Sequence, residues 1–167
     1  CDGTSDVSMI FTGTLTAINS ALAGLAYVPA PDFNGSAIIQ IIVNDLGNSG
    51  VPFQPKTGSA TINVTVTPVN DGPIVLNPIP DVTVIENSLP STLDLSSTFF
   101  DVDGDPLTLS VTANSNPTLV TTSLVGTTLT LTYKPKLSGN AVITVRARDP
   151  NGLFVNDTFL VTVLPVN

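Results

Sequence analysis

The sequence predicts an all-β protein of two tandem antiparallel β-sandwiches, the first lacking its N-terminal strands. Three observations carry this. Charged residues reach only 11 % of the 167 residues and Thr, Val, Ser and Asn fill the gap, a composition that favours strands and turns. Fourteen Pro and twelve Gly divide the chain into short segments. The third observation is an internal repeat: "LAYVPAPDFNGSAIIQIIVNDLGN" (25–48) aligns with "LTYKPKLSGNAVITVRARDPNG" (131–152). Tyr27 matches Tyr133, Pro29 matches Pro135, Gly35 matches Gly139 and Asp45 matches Asp149. "VTPVN" ending at Asn70 recurs as "VLPVN" ending at Asn167. The unit is about one hundred residues, the length of a seven-strand sandwich.

Taken in order, "LTAINSALAG" (15–24) places Leu15, Ile18 and Leu22 at helical spacing before a terminal Gly, which predicts one short helix. "SAIIQIIVND" and "SATINVTVTPVN" predict two strands, the second with Ile62, Val64 and Val66 alternating. "VNDGPIVLNPIPDV" is a short linker that Pro73, Pro78 and Pro80 stiffen toward extended conformations. After it, "DVTVIEN", "LTLSVT", "TTLTLTY", "NAVITVRARD" and "DTFLVTVLPV" predict five further strands. The expected domains are 1–71, the C-terminal part of a sandwich, and 72–167, a complete one. The first has no counterpart of "IPDVTVIEN" or "FFDVDGDPLTL", so two or three strands are missing and an edge is left open. The expectation is that the chain begins within a domain, and that Cys1 is a fragment end or cloning remnant rather than a lipidated start.

Composition excludes several functions. There is no His, which removes the commonest general base, the Ser-His-Asp and Cys-His arrangements and most zinc chemistry, so no enzymatic activity is expected. A net charge of −8 disfavours nucleic acid and anionic membrane surfaces. No apolar run approaches the roughly 18 residues of a membrane-spanning helix. Cys1 is the single cysteine, so no internal disulfide forms. Exposed aromatics are too scarce to indicate a carbohydrate site, and Tyr27 and Tyr133 are expected at the edge of each core. The sequons at Asn34, Asn63 and Asn156 are expected to be silent in a bacterial source, and Lys134 and Lys136 to be solvated rather than cross-linked.

"FFDVDGDPLTL" (99–109) concentrates Asp101, Asp103 and Asp105, three of the 13 acidic residues, within five positions. Such density is repulsive unless solvated or neutralised, and a solvated turn is the plain alternative. In an extended segment Asp101 and Asp103 point to one side. Ca²⁺ takes six to eight oxygens at about 2.4 Å, and carboxylates with backbone carbonyls supply them without His or thiolate. An EF-hand does not fit, because its sixth position would be Pro106 and its twelfth Thr112.

"PVNDGP", "ENS" near Glu86, "FFDVDGDPLTL" and "RARDPNG" together resemble the bacterial cadherin-like repeats, tandem Ig-like sandwiches of large surface adhesins. The "FTGTLTAINSALAGLAYVPAPDFNGSAIIQIIVNDLGNSG" segment is similar to a common variant of them, so the likeness covers most of the chain. The resemblance implies calcium at a domain junction, with Asn70 and Asp71 from the linker, Asp101 and Asp103 from the Asp-x-Asp motif, and Asp149 facing them. Asp105 is a weaker ligand candidate, expected chiefly to shape the turn before Pro106. Glu86 is another, which the resemblance assigns to the far end of its own domain. Asp45 is expected to be an isolated surface aspartate. The missing Asp-Arg-Glu motif favours one ion over three. The implied function is a calcium-rigidified spacer of an extracellular, cell-surface bacterial adhesin, with neighbouring repeats or identical subunits as partners and homophilic or matrix contacts open. The alternative is a filament subunit whose open first sandwich receives strands from a neighbour.

Overall fold

The computed structural model describes residues 7–48, 51–52 and 54–166; Cys1 and Asn167 lie outside these. The chain divides into two compact units, Cys1–Val69 and Asn70–Asn167.

In the first unit, helix α1 (Leu15–Leu22) starts where the Thr14 hydroxyl accepts from the Ala17 N–H, and it gives way at Ala23 before Gly24. Strands β1 (Gly35–Asn44) and β2 (Thr57–Val66) form an antiparallel ladder from Gly35 opposite Val66 to Asn44 opposite Thr57. Ala37, Ile39 and Ile41 are half-buried along one face of β1, whereas Ile38 and Ile42 on the other are exposed. No described residue of this unit is fully buried.

The second unit holds β3 (Ile74–Val75), β4 (Val82–Ile85), β5 (Ser91–Asp94), β6 (Phe99–Phe100), β7 (Thr108–Asn114), β8 (Val120–Val125), β9 (Thr128–Tyr133), β10 (Gly139–Arg148) and β11 (Phe154–Leu164). Two sheets, ordered β4-β11-β10-β7 and β5-β9-β8, enclose the core, and β3 pairs with β6 as a short separate ribbon. One pairing is parallel: β4 runs alongside β11 from Val82 opposite Val161 to Ile85 opposite Leu164. Before it, β3 and β6 pair antiparallel, and the intervening segment contains Pro78 and Pro80, which lack the N–H a ladder needs.

Alternation explains the packing. Ala141, Ile143, Val145 and Ala147 of β10 have no exposed surface, while Val142 between them is 41 % exposed. Phe159, Val161 and Val163 of β11 point inward beside them, and Leu129, Leu131 and Val120 close the core with Leu95, Leu119 and Phe99. Tyr133 is buried at the edge and donates its phenol O–H to Ser91 Oγ at 2.9 Å. Its counterpart Tyr27 stays exposed. Strands β3, β5, β6 and β8 are not among the predicted strands; β3 and β6, at two residues each, are too short to alternate.

Candidate metal centre

The candidate acids are placed by strand ends. Asp149 follows the last residue of β10, and the chain turns there into β11 through Asn151 and Gly152. Gly152 has φ +104°, a conformation an L side chain resists. That turn directs two N–H groups at one oxygen: Asp149 Oδ1 accepts from Gly152 at 2.5 Å and from Leu153 at 2.8 Å. Asp149 Oδ2 accepts from the Asn70 amide at 2.8 Å. The Asn70 bond is the first cause holding the Asp149 carboxyl below the ordinary aspartate range, with the backbone N–H groups adding to it and burial opposing.

Asp101 follows β6 and is buried, 4 % exposed. Its Oδ1 accepts the Asp103 N–H at 3.0 Å, but Oδ2 is buried and has no hydrogen-bond partner. Asp103 Oδ2 accepts the Asp71 N–H at 2.7 Å, which fastens the start of the second unit to this loop. Asp105, two residues on, is half-buried and with Asp101 lines an open cavity of about 340 Å³ alongside Leu95, Phe99 and Leu107. Burial pushes the Asp105 carboxyl above the ordinary range, and the charges of Asp101, Asp103 and Asp149 push it further. Asp105 therefore shares the electrostatics of the cluster.

Hydrogen bonds thus link Asn70 to Asp149, Asp71 to Asp103 and Asp103 to Asp101 within the second unit. Among the described residues, no three His, Cys, Asp or Glu side chains form a ready-made metal cage. The acids are engaged by amide and backbone N–H groups rather than by one another. Asn151, which sequence reasoning passed over, donates its amide to Asn70 Oδ1. Its place two residues after Asp149 in "RARDPNG" was the available signal.

Glu86 lies elsewhere. It follows β4 beside the C-terminal end of β11, where its Oε1 accepts the Val166 N–H at 2.9 Å. Asp149 adjoins the other end of the same strand, so Glu86 does not join the cluster. Asp45 corrects the expectation of an isolated surface residue. It is half-buried, and its Oδ1 accepts the N–H groups of Gly47 at 2.9 Å and Lys56 at 2.7 Å, because the β1–β2 connection needs the same closure that Asp149 gives β10–β11. No helix among the described residues is long and apolar enough to cross a membrane.

Comparison with known proteins follows this geometry. A family model described as bacterial Ig domain matches residues 70–163. A search of curated proteins returned no match. Among solved structures, the chain is similar to the extracellular cadherin domains 1–4 of protocadherin gamma B7, at 18 % identity over 79 % of this chain and 32 % of that one, with a TM-score of 0.55. It is similar to mouse cadherin-23 EC22-24 at 22 % identity, over 79 % of this chain and 43 % of that one, with a TM-score of 0.54. Protocadherin gamma B2 extracellular domains 1–5 follow at 23 % identity and a TM-score of 0.51, over 78 % and 25 % of the two chains. The chain spans less than half the length of each of these structures, and at such identities the likeness concerns the fold. With the family model matching more than half of its residues, the chain belongs to the bacterial Ig domain family.

Proposed function

We propose that the chain is a structural spacer of an extracellular bacterial surface adhesin, stiffened by calcium at the Asn70–Asp149 cluster. The observation that carries this is the Asp101 carboxylate. It is 4 % exposed and its Oδ2 has no partner. A buried carboxylate oxygen without a donor is costly, and a cation offsets that cost where no protein group does. Carboxylates and an amide, with no His or thiolate, make a donor set for a hard cation such as Ca²⁺. Asp101, Asp103 and Asp149 would hold it with Asp71 and oxygen from Asn70, Asp105 being near enough to add charge.

The consequence is mechanical. Asn70 and Asp71 open the second unit, and their partners lie on two of its loops, after β6 and after β10. Neutralising those loops would tie the linker segment down and restrict bending between successive modules. The reading predicts that small-angle scattering of the chain in calcium gives a longer, narrower particle than in chelator, and that Asp101→Asn abolishes the difference. Identical profiles for the wild-type chain in calcium and in chelator would sink it.

The first unit supports a second reading, a filament subunit completed by a neighbour's strands. Among the described residues its ladder has two strands, with Ile38, Ile42 and Val43 at least half exposed. Ordered, concentration-dependent filaments would favour this reading, and a monomer across the concentration range would remove it.

A further inference from the structure

The two sheets of the second unit end in the edge strands β4, β7, β5 and β8, and these edges are unlike. Strand β4 is flanked by Asp81 and Glu86, and β5 ends in Asp94, so both carry acids. No residue from Pro106 to Tyr133 carries a charge, and that segment contains the other two edges, β7 and β8. A bulge blunts β7, whose register against β10 shifts between Thr144 and Val145. Strand β8 has no such device. It contains no Pro, Lys or acid, and it runs in unbroken register against β9, from Val120 opposite Tyr133 to Val125 opposite Thr128.

The bonds of β8 show which way its backbone groups point. The Leu119 carbonyl accepts the Lys134 N–H at 2.9 Å, so alternation makes Thr121, Ser123 and Val125 the residues bonded to β9. Val120 faces the other way: its N–H donates to the Asn116 carbonyl at 3.1 Å, and its carbonyl accepts the Asn114 amide at 2.7 Å. Thr122 and Leu124 turn their N–H and carbonyl groups to that same side. Among the described residues β9 is the only strand paired with β8. An open groove of about 660 Å³, lined in part by Leu109, Val111, Thr122 and Leu124, separates β8 from β7 here.

We propose that β8 is a homophilic docking edge, on which β8 of a second copy of this chain pairs antiparallel. Thr122 and Leu124 of one copy exchange backbone bonds with Leu124 and Thr122 of the other, which sets the twofold axis at Ser123. Charge selects the occupant. Each chain carries −8, so two copies repel where their acids meet, and the uncharged β7–β8 side of the second unit is where they can approach. A basic partner would be drawn to the acidic edges at β4 and β5 instead. Laid against itself, β8 sets Ser123 opposite Ser123 and brings no like charges together. The contact uses the second unit alone and does not rest on the calcium reading.

The test is analytical ultracentrifugation of the full chain in chelator, from about 1 µM to about 1 mM. A monomer–dimer equilibrium is expected that stops at the dimer, because a twofold contact closes on itself. Added salt should leave it unchanged or tighten it, since screening relieves repulsion between the two chains. Ser123 is exposed, and Ser123→Lys sets two cations on the axis while the backbone bonds to β9 remain. Dimerisation should weaken about ten-fold or more, although each chain becomes less negative. Thr83→Lys, an equal change on exposed Thr83 of β4, should not weaken it. In chains that also carry Cys1→Ser, Ser123→Cys should cross-link on mild oxidation and Thr83→Cys should not, because residues facing each other across the axis lie within disulfide range. A chain that stays monomeric over the whole range overturns the proposal, as does a dimer that Ser123→Lys weakens no more than Thr83→Lys. Filaments that survive Ser123→Lys also overturn it and favour assembly through the first unit.

Discussion

Hairpins β1–β2 and β10–β11 share one local design and differ in what surrounds them. Each is a ten-pair antiparallel ladder, opening at Gly35 opposite Val66 and at Gly139 opposite Val163. Both opening glycines have positive φ, +115° and +141°. Each hairpin is closed by an aspartate, Asp45 or Asp149, that accepts two backbone N–H groups on one oxygen. Yet Ile143 and Val145 are wholly buried while their counterparts Ile39 and Ile41 are only half-buried. The sequence pattern shapes a hairpin by itself; burial comes from β4 and β7 at its edges and from the β5-β9-β8 sheet that completes the core.

Paired substitutions are the means to break this comparison. The largest difference is expected in the core. Ile143→Ala should cost about 2–5 kcal/mol in denaturant unfolding of the second unit, because a full cavity is left, whereas Ile39→Ala should cost about 1 kcal/mol or less. Equal costs would mean that the first hairpin is as thoroughly packed as the second. The tyrosines come next. Tyr133→Phe removes the bond to Ser91 and should cost about 1 kcal/mol, while Tyr27→Phe should leave stability unchanged.

The smallest effects are electrostatic and confined to the second unit. The Asp149 carboxyl is held low, so its contribution is present above the ordinary aspartate value and is lost as pH falls through its lower folded-state value. Asp105 has the opposite sign. Its raised carboxyl favours the folded state in acid, and that help is lost as pH rises through the folded-state value. In chelator at neutral pH, Asp105→Asn should therefore raise the melting temperature slightly, and at pH 3 it should do nothing. A lower melting temperature at neutral pH would show that the Asp105 charge is compensated in the folded chain.

Much of this was legible in the residues. Alternating β-branched strands, the helix at 15–22 and the order of the repeat follow from local pattern, because each is decided by neighbours two to four positions away. The bonds of Asn70 to Asp149 and of Asp71 to Asp103 join residues that the resemblance sets side by side. What escaped depends on contacts distant in sequence. The parallel pairing of β4 with β11 joins residues about eighty apart and has no local signature. Strand β8, "VTTSLV", carries polar residues at its centre and is read as a strand only once β9 lies beside it. Asn151 meets Asn70 only because the turn carries it there. Asp45 accepts backbone N–H groups, which a search for acidic neighbours overlooks.

The most direct measurement is differential scanning calorimetry of the full chain across a calcium series that ends in chelator. A cation held by the second unit's acids stabilises its folded state by mass action, about 2.7 kcal/mol at a hundredfold excess over the dissociation constant. The transition of the second unit should then rise by roughly 10 °C or more, and Asp101→Asn should remove the rise. A second-unit transition that is the same in saturating calcium and in chelator would contradict the account.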